Sequence, residues 1–239
     1  MSAILQLTLE PLWSVLFGAR CVLCGARQQH AICADCQDAI TGFDCQTCDR
    51  CDHPLDRHAA CPDCSRLGEP AFTRTFAVGP YRGILKEAVL ALKYRDGWRV
   101  ADVLAQHLAR RVRQIGLCPD AAIAIPIDAE RQAARGYSQS LLLASRVAVH
   151  LGIPHRRGVL RRRVHGVVQS TADMAQRHAQ VTDIFEVRGQ PHQGSVLLVD
   201  DVMTTAATMH AAASVLRARG AQVWGAVVAR QTLRRGGRK

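Results

Sequence analysis

The stretch "VLLVDDVMTTAATM", residues 196–209, sets two adjacent acids, Asp200 and Asp201, between a run of apolar residues and a loop rich in hydroxyls and small side chains. The apolar run predicts a buried strand, and the segment from Thr208 onward predicts a helix. A helix start aims unpaired backbone N–H groups and the positive end of its dipole at the loop before it, a ready cradle for a phosphate. The hydroxyls of Thr204, Thr205 and Thr208 add donors, and Ala206 and Ala207 let the backbone approach closely. Two carboxylates cannot serve that same phosphate, because like charges repel; they suit the neutral hydroxyls of a sugar attached to it. The chemistry this spacing points to is recognition of a sugar phosphate. The competing reading is a Thr-capped helix preceded by solvated acids.

A second pattern is metallic. Nine of the ten cysteines lie between positions 21 and 64, and eight of them form two matching frames. These are Cys21, Cys24, Cys33 and Cys36, then Cys48, Cys51, Cys61 and Cys64. A two-residue gap lets a tight turn point both thiolates at one ion, so each frame supplies the four sulfurs of a structural, tetrahedral zinc site. Two zinc ions per chain are expected. Disulfides are the alternative, disfavoured by the lack of an export signal and the reducing compartment this implies. Cys45, three positions before Cys48, is either a spare ligand or a free thiol, and His30, His53 and His58 are weaker candidate ligands.

Around these residues the 239-residue chain offers enough apolar sequence, 48%, for one ample core and a small module. Residues 1–69 read as an N-terminal helix (3–17) with a double zinc ribbon, and 70–239 as a second domain beginning at Pro70. In that domain "TRTFAV" alternates like a strand, "ILKEAVLALKY" and "RVADVLAQHLARRVRQIG" carry helical spacing, and "AAIAIPI" is a short buried strand. "QSLLLASRVAVHLG" reads as a helix, "DIFEV" and "SVLLVD" as strands, and "AQVWGAVVAR" as the last strand. Strands alternating with helices predict an α/β domain on a mainly parallel sheet, with ligands beyond the carboxyl ends of the strands.

Charge divides along the same line. Residues 1–70 hold 5 Arg and 9 acids, whereas the remainder holds 26 basic and 11 acidic residues. The basic excess is either a solvated face or an anion-binding surface, densest at Arg156, Arg157, Arg161, Arg162 and Arg163 and in the tail "RRGGRK". Single-stranded DNA is one such anion, although aromatic residues at 5% argue against extensive base stacking. No uninterrupted apolar run is long enough for a membrane span, so a cytoplasmic protein without a membrane partner is expected.

"VLLVDDVMTTAAT" resembles the phosphoribosyl-pyrophosphate (PRPP) motif of type I phosphoribosyltransferases, with Ala206 where that family usually has glycine. Over nearly the whole chain the sequence resembles the ComF (competence protein F) family, a zinc ribbon followed by a phosphoribosyltransferase-like domain. The resemblance is carried by "AIPIDAERQAARGYSQS", by "LKYRDG", and by Gln169, Arg177 and Phe185. Ser138, Gly166 and Gln180 depart from the family's usual residues. The resemblance implies a type I phosphoribosyltransferase-like fold in which Asp200 and Asp201 are the catalytic pair taking ribose hydroxyls. Residues 204–208 would take the 5′-phosphate, and the loop at 126–136, with Arg131 and Arg135, the pyrophosphate and its Mg²⁺. Arg161 to Gln169 would form a flexible hood, and Lys93 and Arg95 would face the cleft. It further implies a role in DNA uptake or processing during natural competence, with competence-machinery proteins as partners. Phosphoribosyl transfer to an unidentified acceptor, nucleic-acid binding and PRPP sensing all remain compatible with these residues.

Overall fold

The computed structural model describes residues 20–55, 60–94, 97–163, 184–189 and 194–231. The expected helix at 3–17, His58, Arg95, residues 164–169 of the expected hood with Gly166 and Gln169, the positions Arg177 and Gln180, and the basic tail lie outside the described residues. No helix among the described residues is long and apolar enough to cross a membrane.

The cysteine-rich segment carries two short helices, α1 (Ala34–Asp38) and α2 (Pro62–Leu67), each opening at the third cysteine of its frame. Then follow β1 (Arg74–Pro80), α3 (Gly83–Tyr94), α4 (Gly97–Gln114), β2 (Ala121–Ala124), α5 (Ala129–Arg135) and α6 (Gln139–Leu151). The chain continues through β3 (Leu160–Arg162), β4 (Phe185–Val187), β5 (Ser195–Met203), α7 (Ala207–Arg217) and β6 (Gln222–Arg230). Four strands form one sheet in the order β1-β6-β5-β2, and every pair in it is parallel.

The sheet is parallel because its strands read as continuous apolar runs that need cover on both faces. Leu197 and Val199 of β5 face one core with α3, α4 and α6, in which Leu92, Leu104, Leu108, Leu143 and Val147 are buried. Val196 and Leu198 face the other, with α7 and the β3/β4 pair, around Met209, Leu216, Leu160 and Phe185. Gly225 lets β6 and α7 meet: a Cβ there would stand 2.9 Å from the Met209 sulfur. The two knuckles straddle the β1 edge, Cys21 and Cys36 joining the first core and Cys51 the second.

Four local expectations need correcting. β1 does not alternate; Thr75, Phe76 and Ala77 are buried in succession, because helices and the cysteine module cover both faces of this strand. The strand in "DIFEV" is not part of the parallel sheet but pairs antiparallel with β3. The 126–136 loop contains the helix α5, started by Asp128, whose carboxylate accepts from the Arg131 N–H at 2.8 Å, and closed by left-handed Gly136. Finally, β5 does not stop at the acids: it runs to Met203, because the long neighbour β6 keeps pairing with it through Met203↔Arg230.

Candidate sugar-phosphate cleft and zinc knuckles

Because β2 ends at Ala124, paired with Val199, the next residues of β5 project past their neighbour into open space. Asp200 and Asp201 occupy that overhang. The Asp200 carboxylate accepts from the Ser140 hydroxyl at 2.7 Å and from the Asp201 N–H at 2.8 Å. Asp201 forms an ion pair with Lys93 at 3.0 Å and accepts from the Val202 N–H at 2.7 Å. Burial, and then the negative charge of Asp201, push the Asp200 carboxyl up to about 7, against the pull of Ser140, the Asp201 amide and Lys93. Asp200 therefore keeps its proton to a higher pH than an ordinary carboxyl.

Past Met203 the chain turns through Thr204 and Thr205 to Ala206, which caps α7 with φ 59° and ψ −3°, the left-handed region. Its carbonyl accepts the first helical bond, from the His210 N–H at 2.8 Å. A small cavity of about 40 Å³ lies inside this turn, bordered by Asp200, Thr204, Thr205, Ala206 and Thr208. It adjoins a cleft of about 430 Å³ that brings together Lys93, Arg131, Arg135, Arg162, Asp200, Asp201, Thr204 and Thr208. Ala207 is the first residue of α7 and borders neither cavity among the residues lining them.

The two arginines of the first loop differ in freedom. Arg135 is held: its guanidinium donates to Gln139 at 3.0 Å and to the Tyr94 hydroxyl at 3.3 Å, and it lies 5.2 Å from the Tyr94 ring centre. Arg131 pairs with Asp128 at 3.1 Å, but its side chain is 71% exposed and can swing to an anion in the cleft. Tyr81 and Gln231 also line the cleft. Sequence reasoning gave no role to these two or to Ser140; Ser140 is the last residue of the quoted "AIPIDAERQAARGYSQS", and its place at the start of α6 was the one signal available.

Both cysteine frames close as expected. Within each tetrad the sulfurs all lie within 4.8 Å of one another, and no cysteine among the described residues is in a disulfide. Neighbouring sulfurs stand 3.5–3.8 Å apart. Four thiolates at about 2.3 Å around one tetrahedral ion would be about 3.8 Å apart, so the donor set fits zinc. Cys45 is exposed and belongs to neither tetrad, and His53 is turned to Asp63 rather than to a sulfur.

Comparison with known proteins matches two stretches of the chain. A double zinc ribbon domain matches residues 12–65 and a phosphoribosyl transferase domain residues 137–238. Competence protein F of Haemophilus influenzae is 28% identical over 225 residues, covering 87% of this chain and 96% of that protein. The chain thus joins a double zinc ribbon to a phosphoribosyl transferase domain and is similar to competence protein F across most of its length. Competence protein ComFC of Bacillus subtilis, another relative, is 26% identical over 203 residues, 81% of each. Among solved structures, the adenine phosphoribosyltransferase of Leishmania tarentolae has a TM-score of 0.33 at 22% identity over 52% of this chain; the match spans about half, 54%, of that enzyme. A purine phosphoribosyltransferase of Pyrococcus horikoshii has a TM-score of 0.35 at 21% identity, over 57% of this chain and 82% of that one.

Proposed function

We propose that the cleft at the carboxyl end of β5 binds PRPP or a closely related phosphosugar, with Asp200 and Asp201 on the ribose hydroxyls and the 204–208 turn on the 5′-phosphate. The observation that carries this reading is the division of charge within one cleft. Two carboxylates stand at the end of β5, a turn of hydroxyls and helix-start amides follows directly, and Lys93, Arg131, Arg135 and Arg162 line the same cleft, Lys93 within 3.0 Å of Asp201. Arg131, paired with Asp128 but largely exposed, is the cation best able to turn to a pyrophosphate, and Arg135 sets the wall it works from. Mg²⁺ bound with the pyrophosphate beside the 126–136 loop would offset the charge that grows on the departing group. In a transfer reaction the C1–O bond to pyrophosphate breaks with both electrons leaving on oxygen, and the acceptor's lone pair closes on C1. The chain's own contribution is to hold the ribose and stabilise the leaving charge.

In the cell, this reading assigns the chain to competence-associated DNA uptake or processing, as the names of its relatives suggest. A second reading, single-stranded DNA near the cleft, is favoured by two exposed aromatic side chains: Tyr94 at 66%, whose ring lies beside the cleft-lining Arg135, and Trp98 at 61%, which lines a separate cavity with Gln132 and Tyr137. Stacking on such rings is tolerant of sequence.

Titration of the protein with PRPP and Mg²⁺ in a calorimeter tests the first reading. Saturable binding is expected, and Asp200→Asn with Asp201→Asn should abolish it in a folded chain. The change keeps shape and removes charge, at about 1.5 to 3 kcal/mol for each charged hydrogen-bond partner lost. Absence of binding to the natural chain would overturn the reading. A parallel titration with a short single-stranded oligonucleotide at two salt concentrations tests the second, which requires affinity that falls as salt rises.

A further inference from the structure

Arg230 ends β6 with its side chain 0% exposed. A guanidinium buried that deeply needs its charge matched. Here its two terminal nitrogens are met from two directions, while Nε has no hydrogen-bond partner. One terminal nitrogen, Nη1, donates to the Met203 carbonyl at 3.0 Å and to the Thr204 carbonyl, the last residue of β5 and the first of the phosphosugar turn. The other, Nη2, meets the Asp63 carboxylate and lies 3.2 Å from His53 Nδ1. Asp63 sits in α2 between Cys61 and Cys64, and His53 follows Cys51 by two positions, so both belong to the second zinc tetrad's knuckles. Asp63, itself 5% exposed, is held further by His53 at 3.0 Å and Arg66 at 3.2 Å. One planar group thus bridges the metal module and the turn.

We propose that Arg230 is a strut through which the second zinc knuckle positions the phosphosugar turn, so that filling this tetrad orders the turn. The consequence for PRPP rests on the function proposed above; the mechanical coupling does not. Ladder pairing already fixes the backbone at Met203↔Arg230, and the Gln231 N–H donates to the Met203 carbonyl at 2.9 Å. Thr204 lies beyond that ladder, and the guanidinium reaches it. Metal binding ties Cys61 to Cys64 and with them the helix that carries Asp63. Without the ion, four thiols have no reason to hold one point, Asp63 is released, and Arg230 is left buried without its counter-charge. The first knuckle, by contrast, meets the domain through apolar residues, among them Cys21, Ile32, Cys36 and Ile40. Arg230 acts through the carbonyls of Met203 and Thr204 and is a positioning residue.

Hydrogen–deuterium exchange of the peptide spanning residues 202–210, in the full zinc-loaded chain, reads the order of the turn without any ligand. Arg230→Met should speed exchange there about tenfold or more, as expected for losing hydrogen bonds from a charged donor, while β2 and α6 keep their protection. Cys48→Ser, with Arg230 in place, should lower zinc content by one equivalent and reproduce the local loosening. Arg230→Lys, which keeps the charge opposite Asp63 but not the fork, should give an intermediate rate. If Arg230→Met does not fold, Asp63→Asn carries the same expectation. Unchanged exchange at 202–210 in the folded variants, or equal acceleration in β2 and α6, overturns the proposal. A turn that loosens in a chain that never binds PRPP leaves the strut standing and removes only the phosphosugar reading.

Discussion

Ala206→Gly separates the strain of the phosphosugar turn from its packing. Ala206 holds φ 59° and ψ −3° and is only 2% exposed. A left-handed backbone costs a residue with a Cβ roughly 1 to 2 kcal/mol. Glycine would remove that strain, but it gives up about 0.8 kcal/mol of methyl burial and about 0.4 to 1 kcal/mol through a freer unfolded chain. These terms nearly cancel, leaving a net change within about 1 kcal/mol of zero. Ala212, fully buried in the middle of α7, supplies the contrast. There the same substitution relieves nothing and loses about 1 kcal/mol of helix propensity plus about 0.8 kcal/mol of methyl burial. In urea unfolding the Ala212→Gly midpoint should fall by about 1 M, while that of Ala206→Gly stays close to the parent's. Equal losses in the two variants would refute the claim that the turn is strained at Ala206. Because the Ala206 methyl is packed with the core of Met209 and Leu216, PRPP affinity should move by less than about threefold. A larger gain on Ala206→Gly would mean that the methyl crowds the phosphate.

Metal analysis of reduced, folded protein purified without added zinc should find about two equivalents, one for each four-sulfur site; a value near zero refutes the zinc assignment. Asp200 predicts a pH dependence of stability. Its carboxyl lies near 7 in the folded chain against 3.8 as the ordinary value, so between those limits the folded state holds a proton that the unfolded state releases. The stabilising contribution is complete below the lower value and lost as pH rises through the upper one. The urea midpoint should therefore fall between about pH 4 and pH 7, and Asp200→Asn should flatten that fall.

What the sequence disclosed and what it withheld follow from how local each signal is. The cysteine frames were legible because a two-residue gap is itself the geometry of a knuckle, and the tetrads needed no distant residue to close them. The acid pair and threonine turn were legible because strand, turn and helix start are consecutive, so the order of residues is also their order in space. The end of β5 was not, since its last three residues are strand only because β6 lies alongside, and no residue within 196–203 announces that neighbour. Likewise α5 was hidden by Pro126 and the expectation of a loop, although Asp128 was in place as its cap.

Arg230 is the extreme case. In a chain with 31 basic residues, one arginine at the end of an apolar strand reads as the point where the strand meets water. The structure puts that side chain inside, because the charge it needs, Asp63, comes from 167 positions earlier on the zinc module. The same feature that made Arg230 illegible gives it leverage. Replacing a buried, paired charge on one side leaves the other uncompensated, so neither Arg230 nor Asp63 can vary alone without a large cost. The charge pair therefore fastens the acidic ribbon to the basic domain where the phosphosugar turn begins, and ties the order of that turn to Asp63, the residue next to the tetrad's Cys64.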